Sequence, residues 1–292
     1  MRADCSIFFG TGAGRCGTMA LANLLNAEPD VLCCHEGQIR HLEQIGDQHL
    51  PYMTLENFQA YRHPERAKAT FAAKRREMRA LGAHLNLRAI GDIAYNNAPF
   101  VHVIPSLFPD ARLVVLTRDG RDFVRSAYTR QRPDPTPVGW LDENTELSRI
   151  ERFVALGRLR PLDSEAPNSE WRRMSVVAKN AWLWAETYRL ILDGLVAWDE
   201  NRVQFVRLED FRTSPREQYG HVRRFLGLDD APLPPAVEML LVQPINRRDE
   251  SAKVLPDWRA WTAPETEDFW RYAGPMMGRL GYAKDDEASV TA

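Results

Sequence analysis

The stretch Ile7-Phe8-Phe9-Gly10-Thr11-Gly12-Ala13-Gly14-Arg15-Cys16-Gly17-Thr18 constrains this chain more than any other. A short apolar run ending in glycines reads as a buried strand, and the following Thr18–Asn26 sets Leu21, Leu24 and Leu25 on one helical stripe. A strand, a glycine turn and a helix start together make an anion cradle, because unpaired backbone N–H groups and the positive end of the helix dipole converge there. Three readings of the loop stay open at this level. Gly12-x-Gly14-x-x-Gly17 satisfies the dinucleotide fingerprint, with Glu36 near where a ribose-binding acid would lie. Gly12 and Gly17 have the separation of a nucleotide-triphosphate loop, but Thr18 and Met19 occupy the places of its lysine and hydroxyl residue. A plain tight turn is the third.

The rest of the chain supplies a parallel α/β frame. Runs bounded by turn residues predict strands at Cys5–Phe9, Val31–Cys34, Leu87–Gly91, Arg112–Thr117 and Arg202–Leu208. Helical periodicity follows at Thr18–Asn26, Pro99–Phe108, Arg121–Arg130 and Ser169–Trp198. Strands alternating with helices imply a parallel sheet covered on both faces. Ser214-Pro215-Arg216-Glu217 and Thr262-Ala263-Pro264-Glu265 both read as capping boxes, and Gly227 stops the first of these helices. Residues 1–283 are expected to form one domain with a flap or insertion near 131–168, and 284–292 a frayed tail.

Charge excludes some partners. Lys plus Arg is 38 and Asp plus Glu is 40, a net charge of −2, so wholesale binding to nucleic acid lacks an electrostatic motive. No apolar run reaches membrane-spanning length, and the four cysteines, Cys5, Cys16, Cys33 and Cys34, lack zinc-site spacing. The expectation is a cytoplasmic protein with reduced thiols and no metal.

A second anion clamp decides between the loop readings. In Leu113-Val114-Val115-Leu116-Thr117-Arg118-Asp119-Gly120-Arg121-Asp122-Phe123-Val124-Arg125-Ser126, an arginine leaves a buried strand and a serine follows inside the next helix. A guanidinium fork and a short hydroxyl donor suit one phosphate, and a dinucleotide dehydrogenase has no use for the pair. With both clamps in place the chain resembles the sulfotransferases that use 3′-phosphoadenosine-5′-phosphosulfate (PAPS). Their 5′-phosphosulfate loop is similar to Gly14-Arg15-Cys16-Gly17-Thr18, and their 3′-phosphate segment to Arg118-Asp119-Gly120-Arg121-Asp122 with Ser126. Leu107-Phe108-Pro109-Asp110-Ala111-Arg112, Arg207-Leu208-Glu209-Asp210-Phe211, Phe225-Leu226-Gly227-Leu228 and Leu280-Gly281-Tyr282 extend the similarity. The pattern departs at Met19, where a second hydroxyl is usual, and at Gly91-Asp92-Ile93-Ala94-Tyr95, where many members carry a lysine.

The resemblance implies a P-loop-like α/β architecture and in-line transfer of a sulfuryl group to a hydroxyl, or less favourably an amine, of a small-molecule or saccharide acceptor, releasing the bisphosphate PAP. Charge stabilisation then falls to Arg15, with the N–H groups of Cys16, Gly17 and Thr18 on the 5′-phosphate. Glu36 is the favoured candidate base at the end of the second strand, and His35 beside it is the alternative. Arg247 and Arg248, with Lys253, form a basic loop suited to closing over the 3′-phosphate or to facing solvent. The basic run Arg62–Arg79 reads as an exposed helix able to steer an anionic glycan, and Trp140, Trp171 and Tyr95 as possible walls of an apolar acceptor pocket. Glu209 and Asp210 are expected to order the turn into the next helix.

Overall fold

The computed structural model describes residues 5–38, 64–127, 158–161, 168–242 and 255–282. Strands β1 (Ser6–Thr11), β2 (Val31–His35), β3 (Ala89–Ile93), β4 (Arg112–Thr117) and β5 (Val203–Arg207) form one all-parallel sheet in the order β2-β3-β1-β4-β5. Each lies within two residues of its sequence expectation. Alternation along the strands divides the core. Phe8, Cys33, Val114 and Leu116 face one cluster, while Phe9, Leu32, Cys34, Leu113 and Val115 face the other.

The helices, in chain order, are α1 (Thr18–Asn26), α2 (Pro64–His84), α3 (Ile104–Leu107), α4 (Gly120–Ala127), α5 (Asn168–Arg173), α6 (Val176–Gly194), α7 (Leu208–Thr213), α8 (Pro215–Leu226), α9 (Pro235–Leu241) and α10 (Ala263–Arg279). Residues of α1, α7, α8 and α9 line the first cluster, and residues of α2, α4, α6 and α10 the second. Phe9 packs on Phe71 and edge-on to Phe108, with ring centroids 5.9 and 4.9 Å away, which pins α2 to β1. Truncating such a buried ring costs about 3–5 kcal/mol. The edge strand β2 is protected where Asn26, ending α1, bonds both backbone groups of Cys33.

Several expectations are corrected. Pro99–Phe108 is not one helix: a 3₁₀ segment spans Tyr95–Phe100 and α3 is a single turn, because prolines at 99 and 105 remove N–H donors. Ser169–Trp198 breaks at Ser175, whose hydroxyl accepts from Ala178 N (3.0 Å) and so caps a new helix, α6. Ser214 makes no side-chain cap, since it closes α7 as it opens α8. The Thr262 box does form, with Thr262 N donating to Glu265 Oε2 at 2.8 Å. Gly227 ends α8 at φ 72°, with Leu228 N reaching back to Arg223 O. The basic helix exposes Arg66, Lys68, Arg76 and Arg79, but Lys74 is buried. Arg62, Trp140, the loop holding Arg247, Arg248 and Lys253, the 284–292 tail, and the 131–168 segment apart from 158–161 and 168 lie outside the described residues.

Candidate active site

The strand order fixes where a ligand can sit. β1 lies beside β4, and the helices that follow them, α1 and α4, pack on opposite faces of the sheet, the topology that in open α/β sheets places the ligand crevice at the C-terminal strand ends between them. β3 intervenes between β1 and β2, whereas a dinucleotide fold sets its second strand beside its first. Glu36 therefore does not occupy the ribose-binding position that the dinucleotide reading required.

The glycine loop is shaped by left-handed residues. Gly14, Arg15 and Gly17 have φ of 78°, 51° and 92°, and the φ signs alternate over Arg15, Cys16 and Gly17. Such alternation turns successive N–H groups toward one point, an anion nest. Gly12 has no alternative, because a Cβ there would collide with the Leu116 carbonyl oxygen and the Cys16 sulfur. The Cys16 thiol is fully buried, and burial pushes its pKa up to about 12. It is therefore a neutral thiol packed against Gly12 inside the turn. Gly17 is the N-cap of α1, and Leu21 N closes the first turn on Gly17 O.

The β4 junction meets this loop directly. Arg118 Nη1 donates to Arg15 O at 2.8 Å, and Arg15 Nε donates to Ser126 Oγ at 3.1 Å. Ser126 thus contacts Arg15, which Arg118 also reaches through the Arg15 carbonyl. Burial draws the Arg118 guanidinium below its ordinary pKa, with Asp122 at 3.7 Å acting the other way. It nonetheless remains a cation. Its Nε is buried with no hydrogen-bond partner, an arrangement suited to an anion.

Residues to which the sequence reading gave no part in the site hold this junction. Trp184 and Tyr188, one turn apart on α6, donate to the carbonyls of Arg118 (3.1 Å) and Leu116 (2.8 Å). Glu209 does more than order its own turn, since Oε1 accepts the Asp119 N–H at 3.0 Å and Oε2 accepts the Tyr282 hydroxyl at 3.2 Å. Asp119 in turn forks onto Arg121, whose guanidinium stacks 4.1 Å over Trp258.

The end of β2 completes the site. His35 Nε2 lies 3.2 Å from Thr18 Oγ1 and 4.0 Å from Glu36 Oε1. His35 N and O pair with Gln38 O and N, and Glu36 and Gly37 have φ of 54° and 75°, so His35–Gln38 is a tight turn with two left-handed residues. The His35 side chain is 9% exposed and that of Glu36 35%. Beneath them Asp92 accepts from Gly37 N at 2.9 Å and pairs with Lys74 at 2.5 Å. Tyr95 opens the 3₁₀ segment beyond β3, half-buried. Trp171 is buried and packs edge-on against Trp182, which makes it a core residue rather than an open pocket wall. No helix among the described residues is long and apolar enough to cross a membrane.

Comparison with known proteins agrees with this geometry. The sulfotransferase domain from the curacin biosynthetic pathway superposes with a TM-score of 0.51 at 17% identity, covering 97% of this chain and 99% of that one. Sulfotransferase STF1 from Mycobacterium tuberculosis H37Rv gives 0.53 at 14% identity, covering 91% of this chain and 77% of that one. STF9 from Mycobacterium avium gives 0.51 at 12%, covering 96% and 77%. These likenesses establish a shared fold, and no curated protein sequence matches this one. The sulfotransferase family model matches residues 8–232, from β1 through α8 and therefore across both phosphate-loop candidates and the β2 end, and on that match the chain belongs to the sulfotransferase family.

Proposed function

We propose that the protein transfers a sulfuryl group from PAPS to a hydroxyl of a small-molecule or saccharide acceptor. The observation that carries this reading is the abutment of the two clamps: Arg118 bonds the Arg15 carbonyl, and Arg15 bonds Ser126. One nucleotide with phosphates at both ends of its ribose matches two adjoining cationic junctions. The nest at Gly14–Thr18 takes the 5′-phosphate, and Arg118 with Ser126 the 3′-phosphate, with Arg247 and Arg248 as further donors to it.

In this mechanism an acceptor oxygen attacks sulfur as the bond from sulfur to the bridging phosphate oxygen breaks, and PAP leaves. Negative charge grows on that bridging oxygen, where the Arg15 guanidinium and the loop N–H groups stabilise it. Glu36 takes the acceptor proton. Its greater exposure favours it over His35, which faces the loop through Thr18. His35 then acts by orienting Thr18 and Glu36.

Binding and turnover are tested separately. Saturating PAP should raise the melting temperature by roughly 5 °C through preferential binding to the folded state, and labelled PAPS presented to an acceptor panel should give sulfated product by mass spectrometry. A shift with NAD but none with PAP would overturn the donor assignment. PAP binding without sulfated product from any acceptor would point to a nucleotide-binding protein that has lost turnover.

A further inference from the structure

The buried pair Lys74–Asp92 belongs to neither phosphate clamp, yet both groups are almost fully withdrawn from water, at 2% and 0% exposure. Lys74 arrives from α2 on the stripe Ala67, Phe71, Lys74 and Met78, all buried, and its ammonium also lies 5.1 Å over the Phe71 ring. Asp92 stands on β3 and uses its two oxygens for different tasks: Oδ2 meets Lys74, while Oδ1 accepts the Gly37 N–H. That N–H follows Glu36 directly. Glu36 is itself held at φ 54°, and its own N–H bonds Ile93 O at 3.2 Å. A β-carbon residue at such a φ is disfavoured and persists only where surrounding contacts over-determine it.

The geometry points to Lys74 and Asp92 as positioning residues for Glu36: the pair fixes the carboxylate that pins the Gly37 amide, and the pinned turn aims Glu36 into the crevice. This rests on Glu36 being the base. Lys74 aligns Asp92 without touching substrate, so its removal should reach the chemistry only through the turn.

Two double variants separate that role from simple support of the core. Lys74→Met/Asp92→Asn removes both charges and keeps an oxygen for the Gly37 amide, whereas Lys74→Met/Asp92→Leu removes the charges and the acceptor together. Neutralising both partners avoids stranding a buried charge. In the leucine variant the Gly37 amide should exchange hydrogen at least tenfold faster than in the parent. In the asparagine variant it should stay near the parent rate. The Ala94 amide, bonded to Gly10 O, should be unchanged in both.

Turnover should follow the same split. The kcat, read with labelled PAPS on an acceptor from the panel or on water, should fall at least tenfold in the leucine variant and return to within threefold of the parent in the asparagine variant, with donor KM constant. Unchanged Gly37 exchange in the leucine variant, or equal kcat losses in both, overturns the proposal. Should the leucine variant not fold, Lys74→Met/Asp92→Ala replaces it, and parent-like Gly37 exchange in that variant is then the overturning result. Glu36→Gln run alongside separates the two readings. Full turnover there removes the base assignment, whereas an inactive Glu36→Gln beside a fully active leucine variant removes only the positioning role.

Discussion

Glu36 occupies the first central position of a turn whose two middle residues both need positive φ, a place where glycine, asparagine or aspartate is the usual choice. A left-handed residue with a β-carbon costs about 1–2 kcal/mol, part of which glycine would return as added chain entropy on unfolding. Glu36→Gly is therefore expected to raise stability by roughly 0.5–1 kcal/mol in denaturant melts while reducing sulfuryl transfer at least a hundredfold. A glycine variant that is less stable than the parent would show that Glu36 carries structural contacts outweighing its strain. At this scale the sequence announces the residues that leave strand ends: Arg15, Thr18, His35, Glu36 and Arg118 all lie where strand-to-helix reading puts them. It conceals the contacts of Lys74, Asp92, Glu209 and Tyr282, whose partners are distant in the chain. Lys74 did leave a trace, since the spacing of Ala67, Phe71, Lys74 and Met78 is an apolar stripe with one lysine in it. A surrounding excess of base makes that lysine look solvated.

Helix starts show how local pattern and tertiary context divide the outcome. Two boxes of the same hydroxyl-to-glutamate pattern, at Ser214 and Thr262, behave differently. The extended Trp261 separates Thr262 from the preceding 3₁₀ turn at Trp258–Ala260, so the Thr262 hydroxyl accepts from Glu265 N while Thr262 N donates to the Glu265 carboxylate. Ser214 is shared with the end of α7, where Ser214 N bonds Asp210 O, and its φ and ψ of −133° and 63° take the hydroxyl away from the next turn. Thr262→Ala should accordingly cost about 1 kcal/mol and Ser214→Ala less than about 0.5 kcal/mol by equilibrium unfolding. Equal losses would mean that the two hydroxyls serve alike. The split of Ser169–Trp198 at Ser175 has the same origin, a cap residue that the periodic pattern ran across. What the broken pattern hides matters to function, because α6 brings Trp184 and Tyr188 onto the carbonyls of the β4 end.

For the whole molecule the decisive fact is adjacency, and no local pattern contains it. The sequence yields five strands and their helices, but the order β2-β3-β1-β4-β5 is a property of the folded sheet. That order sets β1 beside β4 and sends α1 and α4 to opposite faces, so Arg15 and Arg118, far apart in the chain, share a hydrogen bond. A ligand spanning both junctions should feel their loss unequally along its length. Arg118→Ala removes a charged donor of a kind worth about 1.5–3 kcal/mol, so PAP binding by calorimetry should weaken roughly 10- to 100-fold. Adenosine 5′-phosphate, which lacks the 3′-phosphate, should lose threefold or less. Because Arg118 also bonds the Arg15 carbonyl, a collapse of the glycine loop would instead weaken both nucleotides alike, and with Arg15→Ala as the reference for damage at the 5′ end the two causes separate. Equal losses for the two nucleotides in Arg118→Ala would move the 3′-phosphate away from β4 and dissolve the two-ended clamp.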